Sequence, residues 1–368
     1  MKKRFLGVLL SVAMVAAVLA GCGSSSAKET AAPAGSETEA ASEAASGETE
    51  AAGNTGDVIT VGFSQVGAES DWRTANSESM KSTFSTENGY NLIFDDAQQK
   101  QENQIAAIRN FIQQEVDYIV LAPVTESGWD TVLQEAKDAE IPVIIVDRMV
   151  DVSDDSLYTA WVGSNFKLEG QKACEWLKQY AAAKNMSEVN IVDIQGTIGA
   201  SAQIGRTEAL NEAVQANGWN LLAQQTGEFT QAKGQEVMES MLKQYDNINV
   251  VYRENDNEAF GAIEAIKAAG KKVGPDGDIL VMSFDTTKQG ITDTLSGDII
   301  VNTECNPLHG PRVEQIIKQL QAGETPEKQA YVEEGIYAYG SDVPSVSIDG
   351  TDYEVTEVTQ DVVDARAY

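Results

Sequence analysis

From Val58 onward, short apolar runs alternate with longer stretches in which apolar residues recur at helical spacing. The spacing is clear at Ile105, Ile108 and Ile112, which would share one face of a helix. Continuous apolar strands separated by amphipathic helices are typical of parallel sheets covered by helices on both faces. The ten runs that predict strands are 58–66, 90–97, 116–124, 141–148, 157–164, 189–196, 219–227, 248–255, 278–285 and 299–306.

The number of these runs favours two sheets over one. Each half of the region repeats about five strand–helix units. We therefore predict an α/β fold of two doubly wound, Rossmann-like parallel-sheet lobes. A TIM barrel is the alternative that strand–helix alternation alone leaves open.

Several predicted strands end in polar residues. The run at 141–148 closes on Asp147 and Arg148, and other runs close on residues such as Asn255 and Asp285. In doubly wound sheets the ligand lies beyond the carboxyl ends of the strands, so these side chains are candidates for a binding site. Each has a simpler interpretation as a helix cap or a solvated charge, and their recurrence favours the site.

The candidate residues suit a neutral, hydroxyl-rich ligand. Carboxylates accept hydrogen bonds from hydroxyls, guanidinium and amide groups donate them, and an aromatic ring packs on the C–H face. Three or four such groups suffice for micromolar binding, about −8 kcal/mol, after entropic costs. The set that the residues themselves suggest is Trp72, Asp147, Arg148, Arg206, Asn255 and Asp285.

Residues 1–22 have the composition of a targeting segment. The first four residues carry three positive charges, an apolar run follows to Ala20, and Gly21 and Cys22 close it. This order predicts a processed secretory signal. Its ending resembles the lipobox of bacterial lipoproteins, in which cleavage leaves Cys22 as the lipid-bearing residue; an ordinary signal with a chance cysteine is the alternative.

Residues 23–56 are almost wholly Ser, Ala, Gly, Thr and Glu. Such a segment buries too little apolar area to offset its ordering entropy, so we predict that it is disordered. As a flexible tether it would have a reach of roughly 30–35 Å, enough to hold a globular body clear of a membrane surface.

Charge and cysteine content narrow the classes of partner. The formal net charge is −31, from 26 Lys and Arg against 57 Asp and Glu. A surface of this sign repels phosphate backbones and anionic lipid, which argues against nucleic acid and phosphorylated ligands. Apart from Cys22, only Cys174 and Cys305 occur, so we expect two partly buried free thiols rather than a disulfide scaffold.

The sequence lacks the residue patterns that enzymatic catalysis would need. The single histidine, His309, has no visible Ser or Cys partner, and no Gly-rich phosphate loop follows the first strand. Asp95 and Asp96 are adjacent on a strand and point in different directions, which disfavours a glycosidase pair. The acids at 274–278 lack the spacing of a calcium loop. We therefore predict no enzyme activity, no cofactor and no metal.

Five stretches carry a resemblance to a known family: VGFSQVGAESDWR (61–73), DDAQQKQENQIAAIRNFI (95–112), LAPVTESGWDTVLQEAKDAEIPVIIVDR (121–148), DIQGTIGASAQIGR (193–206) and GEFTQAKGQEVME (227–239). From Val58 to about Tyr339 the chain resembles the ribose-type sugar-binding proteins of ABC importers, which have the type I periplasmic binding fold. It is most similar to the galactofuranose-binding branch. Sugar-responsive repressors share this core but need a basic helix-turn-helix where the signal and tether stand, so that class is excluded.

The resemblance implies a ligand contact for five of the candidates. Asp147 and Arg148 match the aspartate–arginine pair after the fourth strand of ribose-type proteins. Arg206 matches the arginine after the first strand of the second lobe. Asn255 and Asp285 match the asparagine and aspartate at later strand ends.

Other positions depart from the ribose pattern. Trp72 and Arg73 match the galactofuranose branch, where ribose proteins have phenylalanines. Ribose proteins carry a glutamine in the last crossing strand, and this chain offers Glu304 or Asn306 for that ligand contact.

The resemblance also implies a hinged pair of lobes that closes on a monosaccharide. The N-terminal lobe would be 57–164 with 306–336 and the C-terminal lobe 165–305 with 337–368, with crossings near 164–165, 305–306 and 337–339. The protein would be a monomer that delivers the sugar to an ABC permease; a sensor that presents it to a chemoreceptor or sensor kinase is the alternative.

The implied location is outside the cytoplasm. The lipid on Cys22 would be the only membrane attachment, on a Gram-positive surface or, in a Gram-negative cell, in the periplasm. Residues 345–358 run past the usual end of the family and predict a hairpin with an Asp349-Gly350 turn, to which the sequence assigns no function.

Overall fold

The structure is a computed structural model and describes residues 58–368. The predicted signal segment with Cys22 and the predicted tether lie outside the described residues. No helix within the described range is long and apolar enough to cross a membrane.

Strands and helices alternate along most of the described chain. The strands are β1 (Ile59–Gln65), β2 (Tyr90–Asp96), β3 (Tyr118–Leu121), β4 (Val143–Val146), β5 (Ala160–Gly163), β6 (Asn190–Gln195), β7 (Asn220–Thr226), β8 (Val250–Arg253), β9 (Leu280–Asp285), β10 (Val301–Glu304), β11 (Gln329–Tyr331), β12 (Ile336–Ala338), β13 (Ser345–Ile348) and β14 (Thr351–Glu357). The helices are α1 (Asp71–Thr83), α2 (Gln101–Gln113), α3 (Asp130–Asp138), α4 (Phe166–Ala183), α5 (Ser201–Asn217), α6 (Gln231–Gln244), α7 (Asp256–Ala268), α8 (Lys288–Ser296), α9 (Gly310–Gln321) and α10 (Gln360–Ala365).

The strands form two open sheets. The first has the order β11-β5-β4-β3-β1-β2 and is parallel throughout. The second has the order β13-β14-β12-β10-β9-β8-β6-β7, and its strands from β6 to β10 are parallel. In each sheet the first five strands follow the doubly wound order 2-1-3-4-5. The prediction of two parallel-sheet lobes is confirmed, and the TIM barrel is excluded.

The central strands are buried on both faces. All four residues of β4, Val-Ile-Ile-Val, are buried, as expected where helices cover both sides of a parallel sheet. On one face of the first sheet Phe63 and Val146 pack in a core with side chains of α1 and α9. On the other face Ile145 belongs to a core with Phe111 of α2 and Leu133 of α3.

The chain passes between the two sheets three times. It crosses after β5, returns after β10 and crosses again between β11 and β12. The sequence predicts the third crossing near 337–339, but the structure places it at 332–335. The reason is that residues 336–338 already pair antiparallel with β10 of the second sheet.

A hairpin and a short helix follow the third crossing. β13 and β14 pair antiparallel around Asp349 and Gly350, whose φ angles of 50° and 81° suit the mirror-image turns of two-residue hairpins. β14 also pairs with β12, so the hairpin extends the second sheet. Val363 of α10 packs against Ile291 of α8.

Candidate functional site

A cavity of about 300 Å³ lies between the two lobes, where the carboxyl ends of both sets of parallel strands meet. This is the position that doubly wound sheets favour for ligands. Its lining residues are Glu69, Ser70, Trp72, Arg73, Asp147, Arg148, Phe166, Ala202, Arg206, Phe229, Asn255, Asp285 and Cys305.

The first lobe contributes an alternating set of acids and bases. Arg73 lies on the first turn of α1, where Ser70 Oγ caps the helix by accepting a hydrogen bond from the Arg73 backbone N–H. Its guanidinium lies 2.8 Å from Asp147 Oδ2 and 3.0 Å from Glu69 Oε1. Arg148 Nη1 donates to the Val124 carbonyl at 2.8 Å, and its other nitrogens lie 3.8–3.9 Å from the same two carboxylates.

These charged groups are almost fully buried, and their partners keep them ionised. Burial raises the pKa of Asp147, but the charges of Arg73 and Arg148 outweigh it, and the net pKa is lowered. Burial and the charge of Arg73 lower the pKa of Arg148 to about 10, so it remains a cation at neutral pH. Asp147 takes the left-handed conformation, with φ of 63°, directly after β4.

The second lobe contributes a second charged pair. Arg206 of α5 lies 3.7 Å from Asp285 Oδ1, and its Nε donates to Glu169 Oε2 at 2.8 Å. Burial raises the pKa of Asp285 well above its usual range although Arg206 opposes the shift. Its φ of 101° turns the chain sharply after β9.

Asn255 has the capping role that its sequence position allows, and it also lines the cavity. Its Oδ1 accepts from the Glu258 backbone N–H at 2.8 Å as the N-cap of α7. Its Nδ2 donates to the Phe229 carbonyl at 3.0 Å, which fixes the loop that carries the Phe229 ring.

Three aromatic rings surround the guanidinium groups. The Cζ atoms of the arginines lie 4.6 Å from the Trp72 ring centroid for Arg73, 5.1 Å from Phe229 for Arg148 and 5.3 Å from Phe166 for Arg206. Such cation–π stacking orients the donors and leaves apolar ring surface for the C–H face of a ligand.

Phe166 and Phe229 are missed by sequence reasoning, which proposes only Trp72 as the aromatic group. Phe166 begins α4 and Phe229 lies in the turn after β7, each as an isolated apolar residue, so no periodic pattern marks either one. A signal does exist for Phe229. A Cβ on Gly196 would lie 1.9 Å from its ring, so the glycine at the end of β6 makes room for it.

Seven of the nine predicted ligand residues lie together in this cavity, and Glu304 and Asn306 do not. Side chains alternate along an extended strand, and the crossing turns Cys305 toward the cavity instead. Glu304 faces the C-terminal segment, where its carboxylate accepts from Arg366, Tyr368 and the Gly335 N–H. Asn306 Oδ1 accepts from the Leu308 N–H at 2.9 Å. These two residues are therefore removed from the candidate set.

Glu69 lines the cavity but is absent from the candidate residues that the sequence suggested. It lies four residues before Arg73 and directly before the N-cap Ser70, and an acid this near in sequence to a candidate arginine is the signal that could have indicated it. Its Oε2 is buried and has no hydrogen-bond partner among residues 58–368. A buried polar atom without a partner costs about 1–3 kcal/mol, so this oxygen is placed to accept from a ligand hydroxyl.

The cavity therefore presents three carboxyl groups, Glu69, Asp147 and Asp285, against three guanidinium groups. Glu69 and Asp147 offset Arg73 and Arg148 in the first lobe, so a charged guest there would leave an unpaired charge in a buried site. Donors, acceptors and ring faces together match a molecule with several hydroxyls and a C–H face.

The relatives found by comparison with known proteins agree with one another. The chain is 43% identical to the galactofuranose-binding protein YtfQ of Escherichia coli over 284 residues, which cover 76% of this chain and 87% of that protein. A solved structure from Mycobacterium smegmatis in complex with beta-D-fucofuranose matches with 44% identity and a TM-score of 0.73, over 76% of this chain and 91% of that one.

A third match is the periplasmic binding component of the arabinose ABC transporter of a Shewanella species, bound to alpha and beta-L-arabinofuranose. It has 42% identity and a TM-score of 0.71 and covers 76% of this chain and 92% of that one. These relatives are solute-binding proteins, which confirms the prediction that the chain is not an enzyme. Residues 61–303 match the family model described as a periplasmic binding protein domain, and the chain belongs to that family.

Proposed function

We propose that this protein captures a neutral monosaccharide, galactofuranose or a similar sugar in its furanose form, and delivers it to an ABC permease. The observation that carries the proposal is the interlobe cavity, in which three carboxyl groups and three guanidinium groups lie beside three aromatic rings. The furanose form is favoured because relatives at 42–44% identity hold fucofuranose and arabinofuranose.

Capture depends on closure of the two lobes. Asp147 and Arg148 belong to the first lobe, whereas Arg206 and Asp285 belong to the second, so one sugar satisfies groups on both. A guest that bridges the lobes stabilises the closed state by its differential affinity for that state. A permease then distinguishes a loaded protein from an empty one by the relative placement of the lobes.

The proposal includes the cellular setting. The mature protein begins at Cys22, carries its lipid there, and is held as a monomer outside the cytoplasm. The support is the basic, apolar and small-residue order of 1–22 together with the low-complexity composition of 23–56. Mass spectrometry of the membrane fraction, before and after Cys22→Ser, tests the attachment; an unlipidated mature N-terminus contradicts it.

Calorimetry and thermal shift against a sugar panel test the binding activity. The panel is D-galactose, L-arabinose, D-fucose, D-ribose and D-fructose, with furanose-locked and pyranose-locked galactose analogues and galactose 1-phosphate as the charged control. We expect micromolar binding that selects the furanose-locked analogue, and stabilisation of about 2.7 kcal/mol at a sugar concentration of 100 times Kd. Preference for the phosphate, or no stabilisation by any sugar, would contradict the proposal.

A further inference from the structure

One carboxylate oxygen joins all three crossings between the lobes. Glu334 lies in the third crossing, and its Oε1 accepts from Ser164 Oγ of the first at 2.6 Å. The same oxygen accepts from the Asn306 backbone N–H of the second crossing at 2.7 Å. The three segments that must move together when the lobes close therefore share one acceptor.

Further hydrogen bonds fix the segment that carries this carboxylate. The Glu304 N–H donates to the Gly335 carbonyl at 3.0 Å, and the Gly335 N–H donates to Glu304 Oε2 at 2.9 Å. Lys172 Nζ of α4 donates to the Glu334 carbonyl at 2.9 Å. The backbone on both sides of the Glu334 side chain is thus held against the second lobe.

Glu334 is also connected to the sugar cavity through one intermediate residue, Glu169. Potential ligand atoms of Glu334, Glu169 and Cys305 all lie within 4.8 Å of one another. Glu169 Oε2 accepts from Arg206 Nε, and Arg206 lines the cavity. Glu169 Oε1 is buried and has no hydrogen-bond partner in the described part of the chain, so it is free to take a proton from its neighbour.

The electrostatics favour a shared proton at this cluster over a metal ion. Burial, with the charge of the other carboxylate, raises the pKa of Glu334, and burial raises that of Glu169 although Arg206 opposes it. Burial also raises the pKa of the Cys305 thiol, which keeps it protonated and a poor metal ligand. The other charged groups facing the pair are Lys172, Glu304 and, across Glu169, Arg206.

We propose that Glu334 is a positioning residue for sugar binding: it joins the three crossings and shares a proton with Glu169, which holds Arg206 in the cavity. The inference rests on the proposed sugar-binding function for its affinity measurement. It has a second measurement, of lobe separation, that needs no sugar.

The two substitutions that test these roles together are Glu334→Gln and Glu334→Ala. The glutamine keeps the oxygen that accepts from Ser164 and Asn306, and its amide donates to Glu169 as the shared proton does. The alanine removes both. Glu333→Ala is the matched control, because its exposed side chain is adjacent and makes no hydrogen bond among the described residues.

Lobe separation is measured by pulsed electron spin resonance between ketone-directed labels on p-acetylphenylalanine introduced at positions 100 and 228, two exposed positions on opposite lobes, so that the free thiols Cys174 and Cys305 stay unlabelled. Without sugar, we expect Glu334→Ala to broaden the distance distribution, and Glu334→Gln and Glu333→Ala to keep the parent distribution. Ser164→Ala, which removes one of the three connections, should give an intermediate result and serves if the alanine variant fails to fold.

Affinity is measured with D-galactose and L-arabinose at pH 6 and pH 9. We expect roughly tenfold weaker binding for Glu334→Ala at pH 6 and less than twofold change for Glu334→Gln. A raised pKa means that the proton is present at low pH and lost as pH rises, so parent affinity should fall more between pH 6 and pH 9 than that of Glu334→Gln, in which Asp285 still titrates in the cavity.

Two results would overturn the proposal: a parent-like distance distribution in Glu334→Ala, or Glu334→Gln behaving as Glu334→Ala does. If the parent protein binds neither these two sugars nor any other member of the panel, the proposed function fails at that step. The distance measurement then decides the role of Glu334 alone.

Discussion

Asp147 shows how a single side chain links stability and binding in this site. It lies between two guanidinium groups, at 2.8 Å from Arg73 and 3.9 Å from Arg148, in a region with almost no solvent access. Breaking a buried ion pair is costly because it leaves the partner charge uncompensated. The two arginines are therefore held in a fixed orientation before a sugar arrives, which lowers the entropic cost of binding.

We predict that Asp147→Asn weakens sugar binding by about 1.5–3 kcal/mol, because the hydrogen bonds of a charged acceptor are lost. Isothermal calorimetry with the best sugar of the panel measures the change. Asp96→Asn is the control, since Asp96 is an exposed carboxylate at the end of β2 in the same sheet. Equal affinities for both variants would show that Asp147 does not contact the sugar.

At the same scale, the sequence indicates which strand ends are polar but not which way each side chain faces. Asp147 and Arg148 are found because an apolar run stops at them. Glu304 and Asn306 are wrong choices because the crossing after β10 sets the alternation of side chains, and that geometry depends on pairing with β12. Glu69 and the two phenylalanines carry no strand pattern at all.

At the scale of elements, the ten predicted apolar runs all contain strands, and the structure adds β11 and β12. These two strands have three residues each, which are too few to show a periodic pattern. Both form because the crossing between them places each one at the edge of an existing sheet. The start of helix α7, in contrast, can be predicted from the sequence, because Asn255 is a residue type that favours the N-cap position.

The two roles of Asn255 separate by substitution. Asn255→Ser keeps a side-chain acceptor for the N-cap but loses the donor to the Phe229 carbonyl, so we expect weaker sugar binding with little change in unfolding free energy. Asn255→Ala loses both groups, so its unfolding free energy should be lower than that of Asn255→Ser by about 0.5–2 kcal/mol. Denaturant unfolding and calorimetry on the same samples give both quantities.

Unchanged sugar affinity in Asn255→Ser would contradict the role of Asn255 in placing the Phe229 ring. Thr287→Ser serves as the control for capping chemistry, because Thr287 Oγ1 caps α8 by accepting from the Gly290 N–H. That cap lies outside the set of cavity-lining residues.

For the whole molecule, the second lobe contains a group of buried acids around Arg253. Burial raises the pKa of Asp193 to about 7 and that of Glu258 to about 8. Between their unfolded and folded pKa values the native state binds more protons than the unfolded chain, so the unfolding free energy decreases as pH rises. His309 has the opposite effect, since burial lowers its pKa to about 4 and its contribution is lost as pH falls below 6.5.

We therefore predict that the unfolding free energy falls by about 1–3 kcal/mol between pH 6.5 and 8.5, a window in which the opposing contribution of His309 is only about 0.4 kcal/mol. Glu258→Gln should reduce this slope, because the amide keeps an acceptor for the Phe229 N–H without titrating. Urea unfolding at four pH values measures it. A slope in Glu258→Gln equal to that of the parent chain would contradict the assignment.

The two thiols have a consequence for measuring motion. Cys305 lines the space between the lobes, whereas Cys174 is buried at the base of a groove between α4, α5 and the β13–β14 hairpin of the second lobe. A small alkylating reagent should therefore reach Cys305 whenever the lobes part, and Cys174 only through local motion within the second lobe. The rates of modification of the two cysteines, read by peptide mass, would time lobe opening and that local motion separately in the unaltered protein.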